Sequence, residues 1–419
     1  MKRFFRNLIA KFLILHARRR VHAHSTVIGV TGSIGKTTAK EAMAKILSTR
    51  FTTLASAKSL NSDFGVPLTL LEEEESGFSD PLKWLGILFR AEWRGYTKLS
   101  HEKIILELGI DAPGDIPRLL EIIEPQIGVF LNAAPVHLEN FRNVEEIAAE
   151  KSLLIANLPA PGVAILNADD KFSRATATRA KKIFFGTAVD ADLRATKIRE
   201  NLGGLSAEIS WKGETAQFRA PVLGRQNLPS LLAAITVGVV EGISLKKSVE
   251  ALKNFRLPPG RLNLLEGMRG SRIIDGSYNS NPMSLAAALT TLGQLEAERK
   301  IVILGQMNEL GSDSENYHRE AAKQAADIAD IVIGVYGSAK FFVNAAKAQK
   351  KTAEFFTKAE VAAEWLKKEI KMGDLILVKG SQNNVRLEKL IAKILADSSD
   401  QRLLCRQEKA WEKRGVVLK

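Results

Sequence analysis

Val27-Ile28-Gly29-Val30-Thr31-Gly32-Ser33-Ile34-Gly35-Lys36-Thr37-Thr38 opens as an apolar run, breaks at a glycine loop and ends in Lys-Thr-Thr. That order reads as a buried strand, a phosphate-cradling loop and the start of a helix, and so as a nucleoside triphosphate site spanning Gly32, Ser33, Gly35, Lys36, Thr37 and Thr38. Gly32 and Gly35 let backbone N–H groups curl around phosphate oxygens with no Cβ in the way. Lys36 brings positive charge to the β/γ-phosphates, and the Thr37 hydroxyl suits Mg²⁺. The general pattern asks for a glycine five residues before Gly35, where Val30 stands, so the usable motif is the shorter Thr-Gly-Ser-x-Gly-Lys-Thr-Thr. Residues 39–47, Ala-Lys-Glu-Ala-Met-Ala-Lys-Ile-Leu, favour a helix, which argues against a chance glycine turn.

Around this motif the chain has 419 residues, enough for about two to three domains. A hydrophobic fraction of 45% and a charged fraction of 26% are those of an ordinary globular protein. The net charge of +13 is less ordinary, and both termini contribute to it. No aromatic-interleaved basic stripe or nucleic-acid motif accompanies it, which argues against nucleic acid as the partner. Cys405 is the only cysteine, so an internal disulfide and a cysteine-based zinc site are excluded and a reducing, cytoplasmic setting is expected. In residues 1–25, Phe4, Phe5, Leu8, Ile9, Phe12, Leu13 and Leu15 recur at helical spacing, broken by Arg6 and Lys11 and followed by Arg18-Arg19-Arg20. The run is too short and too charged to span a bilayer. Two readings stay open: a helix docking its apolar face on the first domain, or an amphipathic helix making peripheral contact with an anionic membrane through residues 1–20.

Past the loop the pattern is α/β. Apolar runs at residues 103–108, 127–131 and 162–167 predict strands, with helical patterns at 116–123 and 144–157 between them, which suits a mainly parallel sheet buried on both faces. Residues 206–211 and 215–220 suggest an antiparallel hairpin around Lys212-Gly213-Glu214, followed by a helix at 228–241. Leu257-Pro258-Pro259-Gly260 cannot continue a helix and marks a boundary. Beyond it, strands are expected at 272–275, 300–305, 331–335 and 375–380, in a second, Rossmann-like domain. The expected division is therefore a basic helix in 1–25, an ATP-binding domain in 26–256 with a P-loop ATPase-like sheet, and a C-terminal domain in 257–419. Glu72-Glu73-Glu74-Glu75 reads as a solvated turn.

A P-loop does not say what the phosphate is used for. Glu107 ends an apolar strand and precedes Gly109 by two residues, which would bring its carboxylate to the carboxyl edge of the sheet, where ligands of such folds bind. Alone it is as readily a surface acid. His137 follows another strand and the loop Asn132-Ala133-Ala134-Pro135, and a lone histidine there is usually structural. Lys151 sits in a helical stretch among apolar neighbours, where snorkelling to the surface is the default.

Taken in order, Thr-Gly-Ser-x-Gly-Lys-Thr-Thr, Glu-x-Gly, Asn-x-x-x-x-His-Leu-Glu-x-Phe and Ala-x-x-Lys resemble the Mur ligase superfamily, ATP-dependent enzymes that build the peptide stem of peptidoglycan. Residues 61–71, Gly224-Arg225-Gln226-Asn227, Pro259-Gly260-Arg261-Leu262, residues 275–282, residues 304–311 and Val378-Lys379-Gly380-Ser381 extend the resemblance from Val27 to Leu395. The nearest branch is the one that joins D-alanyl-D-alanine to a UDP-muramoyl-tripeptide. The resemblance implies that a substrate carboxylate attacks the γ-phosphate of ATP and that an amine then displaces phosphate from the acyl phosphate. It assigns Thr37 and Glu107 to one Mg²⁺, His137 to a second, and Lys151 to a carbamylated lysine that supplies oxygen ligands; Lys36, Lys151 and His137 are then the catalytic set. It assigns Asn227, Asp275 and Arg261 to adenine, ribose and phosphates, completed by closure of the second domain. Asn61, Tyr278, Asn279, Asn281 and Lys379 fall at substrate positions. The partners implied are a nucleotide-linked peptide and a dipeptide or amino-acid amine, and the expected state is a monomer.

Three positions depart from the family pattern: Gln226 replaces a histidine, while Gly276 and Gln306 replace acids. Members of that branch usually carry an additional N-terminal domain for the UDP moiety, and residues 1–25 are the only ones before the P-loop strand. The sequence therefore keeps two alternatives alongside the leading assignment: a ligase of this type with another carboxylate and amine pair, and a non-catalytic ATP-binding scaffold in wall synthesis.

Overall fold

The computed structural model describes residues 2–21, 25–56, 60–73, 81–135, 140–308, 310–382 and 385–407. The chain divides into two compact units. The first comprises residues 1–198, 206–219 and 227–255, and the second residues 199–205, 220–226 and 256–419.

The first unit begins with α1 (Lys2–Arg20), β1 (Thr26–Thr31), α2 (Lys36–Leu47), β2 (Thr53–Ala55), α3 (Gly65–Leu70) and α4 (Pro81–Gly95). It continues with β3 (Lys103–Glu107), α5 (Asp115–Leu120), β4 (Ile127–Phe130), α6 (Val144–Ala156), β5 (Val163–Asn167), α7 (Lys171–Ala175) and β6 (Lys181–Gly186). Then come β7 (Leu193–Asn201), β8 (Gly204–Trp211), β9 (Glu214–Ala220), α8 (Leu228–Val240) and α9 (Leu245–Ala251). The sheet runs β2-β3-β1-β4-β5-β6-β7-β8-β9, and its pairs from β2 to β6 are parallel. Lys212 and Gly213 join β8 to β9 with φ of 47° and 85°, the positive angles a two-residue hairpin needs. The hairpin read from the sequence is therefore present, while β7 before it carried no clear signal.

Strand order reverses about β1, whose Val30 pairs with Glu107 on one side and whose Thr31 pairs with Phe130 on the other. The carboxyl ends of β1, β3 and β4 thus open side by side at a switch point of the sheet, where α/β folds bind ligands. Two strand glycines bring α6 down onto these strands. A Cβ on Gly29 would lie 2.9 Å from Leu154, and one on Gly128 would lie 2.9 Å from Ile155. Lys151, one turn earlier on α6, is thereby delivered to the end of β1.

The N-terminal helix docks on α3 and α4, with Leu13 and Ala17 fully buried, which is the first of the two readings of that segment. Of the acidic run read as a solvated turn, Glu72 is an exposed turn residue, Glu73 departs from the reading, and Glu74 and Glu75 lie outside the described residues. Glu73 is buried, held by the Arg90 guanidinium at 2.7 to 3.1 Å and by Arg94 at 3.1 Å, and Glu72 pairs with Arg20 at 2.6 Å. Two arginines of α4, a helix with no place in the sequence reading, make that burial tolerable.

The second unit contains β10 (Asn263–Glu266), β11 (Arg272–Gly276), α10 (Pro282–Gln294), β12 (Arg299–Gly305), α11 (Ser314–Ile328) and β13 (Ile331–Val335). It ends with α12 (Lys340–Ala348), β14 (Thr352–Phe356), α13 (Ala359–Glu369), β15 (Asp374–Lys379) and α14 (Glu388–Ile394). Its sheet runs β10-β11-β15-β12-β13-β14, parallel except for β10. Helices cover both faces in two apolar layers, as expected for a Rossmann-like sheet.

Gly128→Val should force α6 away from β4 and destabilise the protein by about 1–3 kcal/mol, read as a lower urea midpoint.

Candidate active site

The phosphate loop is held from two directions. Gly35 caps α2 at φ 89°, and a Cβ there would run into the Ser230 hydroxyl, which donates to the Gly35 carbonyl at 3.1 Å. Only glycine meets both demands. The loop tip is tied to the segment after β4: Asn132 Oδ1 accepts from Ile34 N–H at 3.0 Å, and its Nδ2 donates to the Ile34 carbonyl at 3.0 Å. Ser33 N–H donates to the Asn132 carbonyl at 3.0 Å, and Ser33 Oγ accepts from Ala134 N–H at 2.9 Å. Thr37 and Thr38 are buried at the start of α2, where the backbone N–H groups of the first turn point along the helix dipole.

Two lysines converge on one acceptor. Lys36 Nζ donates to the Gly32 carbonyl at 2.6 Å, and Lys151 Nζ donates to the same oxygen at 3.1 Å. Lys151 is buried rather than snorkelling. Burial, and then the Lys36 charge beside it, hold its pKa well below the ordinary lysine value, with Glu150 and Asp111 opposing weakly.

Glu107 is fully buried at the carboxyl end of β3. Its Oε2 accepts from Thr37 Oγ1 at 3.2 Å, while Oε1 accepts no hydrogen bond and lies 3.5 Å from Lys40 Nζ. A buried carboxylate oxygen left without a hydrogen bond, next to a P-loop threonine hydroxyl, is a donor set of the kind a hard cation takes, so the residues fit Mg²⁺. Among the described residues no group of three His, Cys, Asp or Glu side chains gathers around a metal position. His137 lies outside the described residues. Gly109 N–H donates to the Asn61 carbonyl at 3.0 Å, and a Cβ on Gly109 would sit 2.7 Å from the Asn61 side chain. The Glu-x-Gly motif therefore positions a carboxylate and seats Asn61 beside it.

Lys40 is the residue that sequence reading missed. It is fully buried, with its ammonium on the Ser56 carbonyl, on Glu41 at 3.0 Å and near Glu107. The signal was available: Lys40 lies three residues after Thr37 and three before the buried Met43, on the inward face of α2.

In the second unit, Asp275 is the last residue but one of β11 and pairs with Val378 of β15, while the next pair is Gly276 with Lys379. Asp275 is buried, with Oδ1 accepting from Ser277 N–H at 3.0 Å and Oδ2 accepting nothing, and burial raises its pKa. Lys379 Nζ donates to the Asn279 carbonyl at 2.9 Å, and burial followed by the nearby Arg261 charge lowers its pKa to about 7. The Arg261 guanidinium lies 4.6 Å above the Tyr278 ring. The Asn281 side-chain oxygen accepts from Ser284 N–H at 2.8 Å as the cap of α10. Asn227 ends a short turn before α8 in the first unit. Gln306, one of the departures, donates to Asn308 at 3.1 Å and accepts from Ser338 N–H at 3.2 Å. His318, another residue the sequence reading missed, accepts from Met307 N–H through Nε2 at 2.9 Å, which fixes the proton on Nδ1, 2.6 Å from the Ser314 carbonyl. Burial lowers its pKa. Burial also pushes the Cys405 thiol up to about 11, so it is an inert bystander.

Comparison with known proteins bears on the same residues. The family description "Mur ligase middle domain" matches residues 30–238, and "Mur ligase, glutamate ligase domain" matches residues 260–382. The chain belongs to the Mur ligase family. UDP-N-acetylmuramoyl-tripeptide–D-alanyl-D-alanine ligase of Escherichia coli K12 is 30% identical over 313 residues, 73% of this chain. The match spans 64% of the E. coli protein, somewhat under two thirds of its length. A crystal structure of MurF from Acinetobacter baumannii superposes with a TM-score of 0.75 at 26% identity, covering 92% of this chain and 79% of that one. MurF from Thermotoga maritima, solved with ADP, shares the fold at 24% identity and a TM-score of 0.75, covering 94% and 84%. The Mur ligase match takes in the P-loop, Glu107 and Lys151 in the first domain and Asp275 and Lys379 in the second.

Lys40→Met should cost about 3–5 kcal/mol in metal-free buffer, because it strands the Glu107 charge in the interior, and adding Glu107→Gln should recover part of that loss in a urea unfolding cycle. Lys379 gives a pH signature. Its pKa falls from the ordinary 10.5 to about 7 on folding, so the unfolded chain binds the extra proton between those values. Stability should therefore rise with pH from about 7 towards 10.5, and the rise should flatten in Lys379→Met.

Proposed function

We propose that this chain is an ATP-dependent carboxylate–amine ligase that adds D-alanyl-D-alanine to a UDP-muramoyl-tripeptide, working in the cytoplasm on peptidoglycan precursors. The observation that carries the reading is the convergence of Lys36 and Lys151 on the Gly32 carbonyl with the Thr37–Glu107 pair on the same phosphate loop. A plain nucleotide-binding module needs the loop and Lys36; it has no use for a second buried lysine of depressed pKa.

In the proposed reaction a substrate carboxylate oxygen attacks the γ-phosphorus, the bond to the β-phosphate oxygen breaks, and ADP leaves. The amine then attacks the acyl carbon, phosphate departs with the C–O bonding pair, and the amine gives up a proton. Both steps gather negative charge. Lys36 would offset charge on the β/γ-phosphates, and the backbone donors at the start of α2 would act in the same direction. Thr37 and Glu107 would hold Mg²⁺, with His137 and Lys151 assigned to a second ion; bound there, Mg²⁺ would neutralise phosphate charge. For Lys151, burial and then the neighbouring Lys36 charge lower the pKa, which raises the share of neutral amine above that of an ordinary lysine. That amine can add to CO₂, forming an N–C bond and releasing a proton, so that a cation becomes an anion with two oxygen donors. Asp275, Arg261 and Asn227 are assigned to the nucleotide, and Asn61, Tyr278, Asn279 and Lys379 to the peptide substrates.

Incubation with ATP, Mg²⁺, the UDP-muramoyl-tripeptide and D-Ala-D-Ala should release phosphate and form the pentapeptide, followed by mass spectrometry. Product from another donor–acceptor pair alone would reassign the substrates within the ligase class, and no acceptor-dependent ADP with any pair would remove the ligase reading. Lys151→Ala should lose turnover by at least about 100-fold, with partial recovery in short-chain carboxylic acids that restore an oxygen donor.

A further inference from the structure

Helix α4 is apolar on two opposite faces. Trp84, Ile87 and Ala91 are buried against the first unit, while Leu85, Phe89, Trp93 and Tyr96 on or just past the helix are 66%, 78%, 73% and 71% exposed. Spacings of four, four and three residues align these four along one side, a ridge roughly 16 Å long. Exposed large apolar residues scattered singly need no explanation, but four in line do. Leu8 and Leu15 of α1 are also exposed, at 56% and 49%.

The charges around the ridge select what it meets. α1 and α4 are stitched together at the aromatic end: His16 Nε2 lies 2.9 Å from Glu92, the Arg19 guanidinium stands 5.5 Å from the Tyr96 ring centre, and Leu99 N–H donates to the Arg20 carbonyl at 3.2 Å. The described acids here are each matched by a basic side chain: Glu92 by His16, Glu72 by Arg20, and Glu73 by Arg90 and Arg94. Lys11, Arg18, Arg19 and Lys98 are exposed beyond those pairs. The surface is thus an aromatic ridge with a cationic flank on a chain of net charge +13.

We propose that the α1–α4 face is a docking surface for an anionic lipid bilayer, with Phe89, Trp93 and Tyr96 entering the headgroup layer and Arg18, Arg19, Lys11 and Lys98 facing anionic headgroups. Aromatic side chains flanked by Arg and Lys are what the interfacial zone of a membrane accepts, and the unmatched positive charge beside the ridge favours an anionic surface. The residues sit on helices braced by the α1–α4 contacts, so docking requires no refolding. Among the described residues no helix is long and apolar enough to cross a membrane, so the contact is peripheral.

The test uses the full chain with vesicles of phosphatidylcholine alone or mixed with phosphatidylglycerol, read by co-sedimentation. The chain should bind the anionic vesicles, bind the neutral ones weakly, and lose binding as salt rises. Brominated acyl chains should quench tryptophan fluorescence, and that quenching should fall in Trp93→Gln. Arg18→Glu with Arg19→Glu should weaken binding by at least about tenfold, as should Phe89→Gln with Trp93→Gln, with thermal unfolding and ATP binding unchanged in the charge-reversal variant. No association with anionic vesicles, or equal association of all variants, overturns the proposal. So does concentration-dependent dimerisation that these substitutions abolish without any vesicle binding, which would make the ridge a contact between two copies. None of these readouts depends on which substrates the ligase takes.

Discussion

One backbone carbonyl organises the candidate site. Gly32 turns its oxygen towards two lysine side chains, so the loop that receives phosphate also sets the distance between Lys36 and Lys151. Burial first, and then the Lys36 charge on the same acceptor, lower the affinity of Lys151 for its proton. The arrangement is sustained by packing: α6 rests on Gly29 and Gly128, and no larger residue would let Lys151 approach. A nucleotide loop of ordinary chemistry thus becomes a place where a lysine holds its proton less tightly.

The acidic half of the site rests on a second buried arrangement. Glu107 is drawn towards Thr37 on one side and Lys40 on the other, while Lys40 also holds the Ser56 carbonyl at the end of β2. The carboxylate is oriented without being fully satisfied, which is the condition in which a cation gains most by arriving. Asn61, seated on Gly109, is placed by the same strand end.

Much of this was legible in residue order. The P-loop, the parallel strands and the hairpin at Lys212–Gly213 are local signals, written in periodicity and turn chemistry. Glu107 and Lys151 were legible only through the company they keep. Lys40 was not, because a lysine in a helix is ordinarily solvated and its burial depends on where β2 and β3 end. The misreading of Glu73 has the same cause: its partners Arg90 and Arg94 lie on another helix, and charge pairing across elements leaves no trace in spacing. Asn281, a polar residue in a family motif, also caps α10 through its side-chain oxygen, a role that the residue order alone did not bring out.

The division of the chain has a consequence for its handling. Residues 199–205 and 220–226 group with the second unit although they lie within the stretch that builds the first. The backbone therefore passes between the units at 198/199, 205/206, 219/220, 226/227 and 255/256. No single cut frees one unit whole, and a fragment ending at residue 255 would carry Leu202 and Leu223 away from the apolar cluster they pack in. In sequence the second unit is thus assembled from three separate stretches, and the first unit likewise from three.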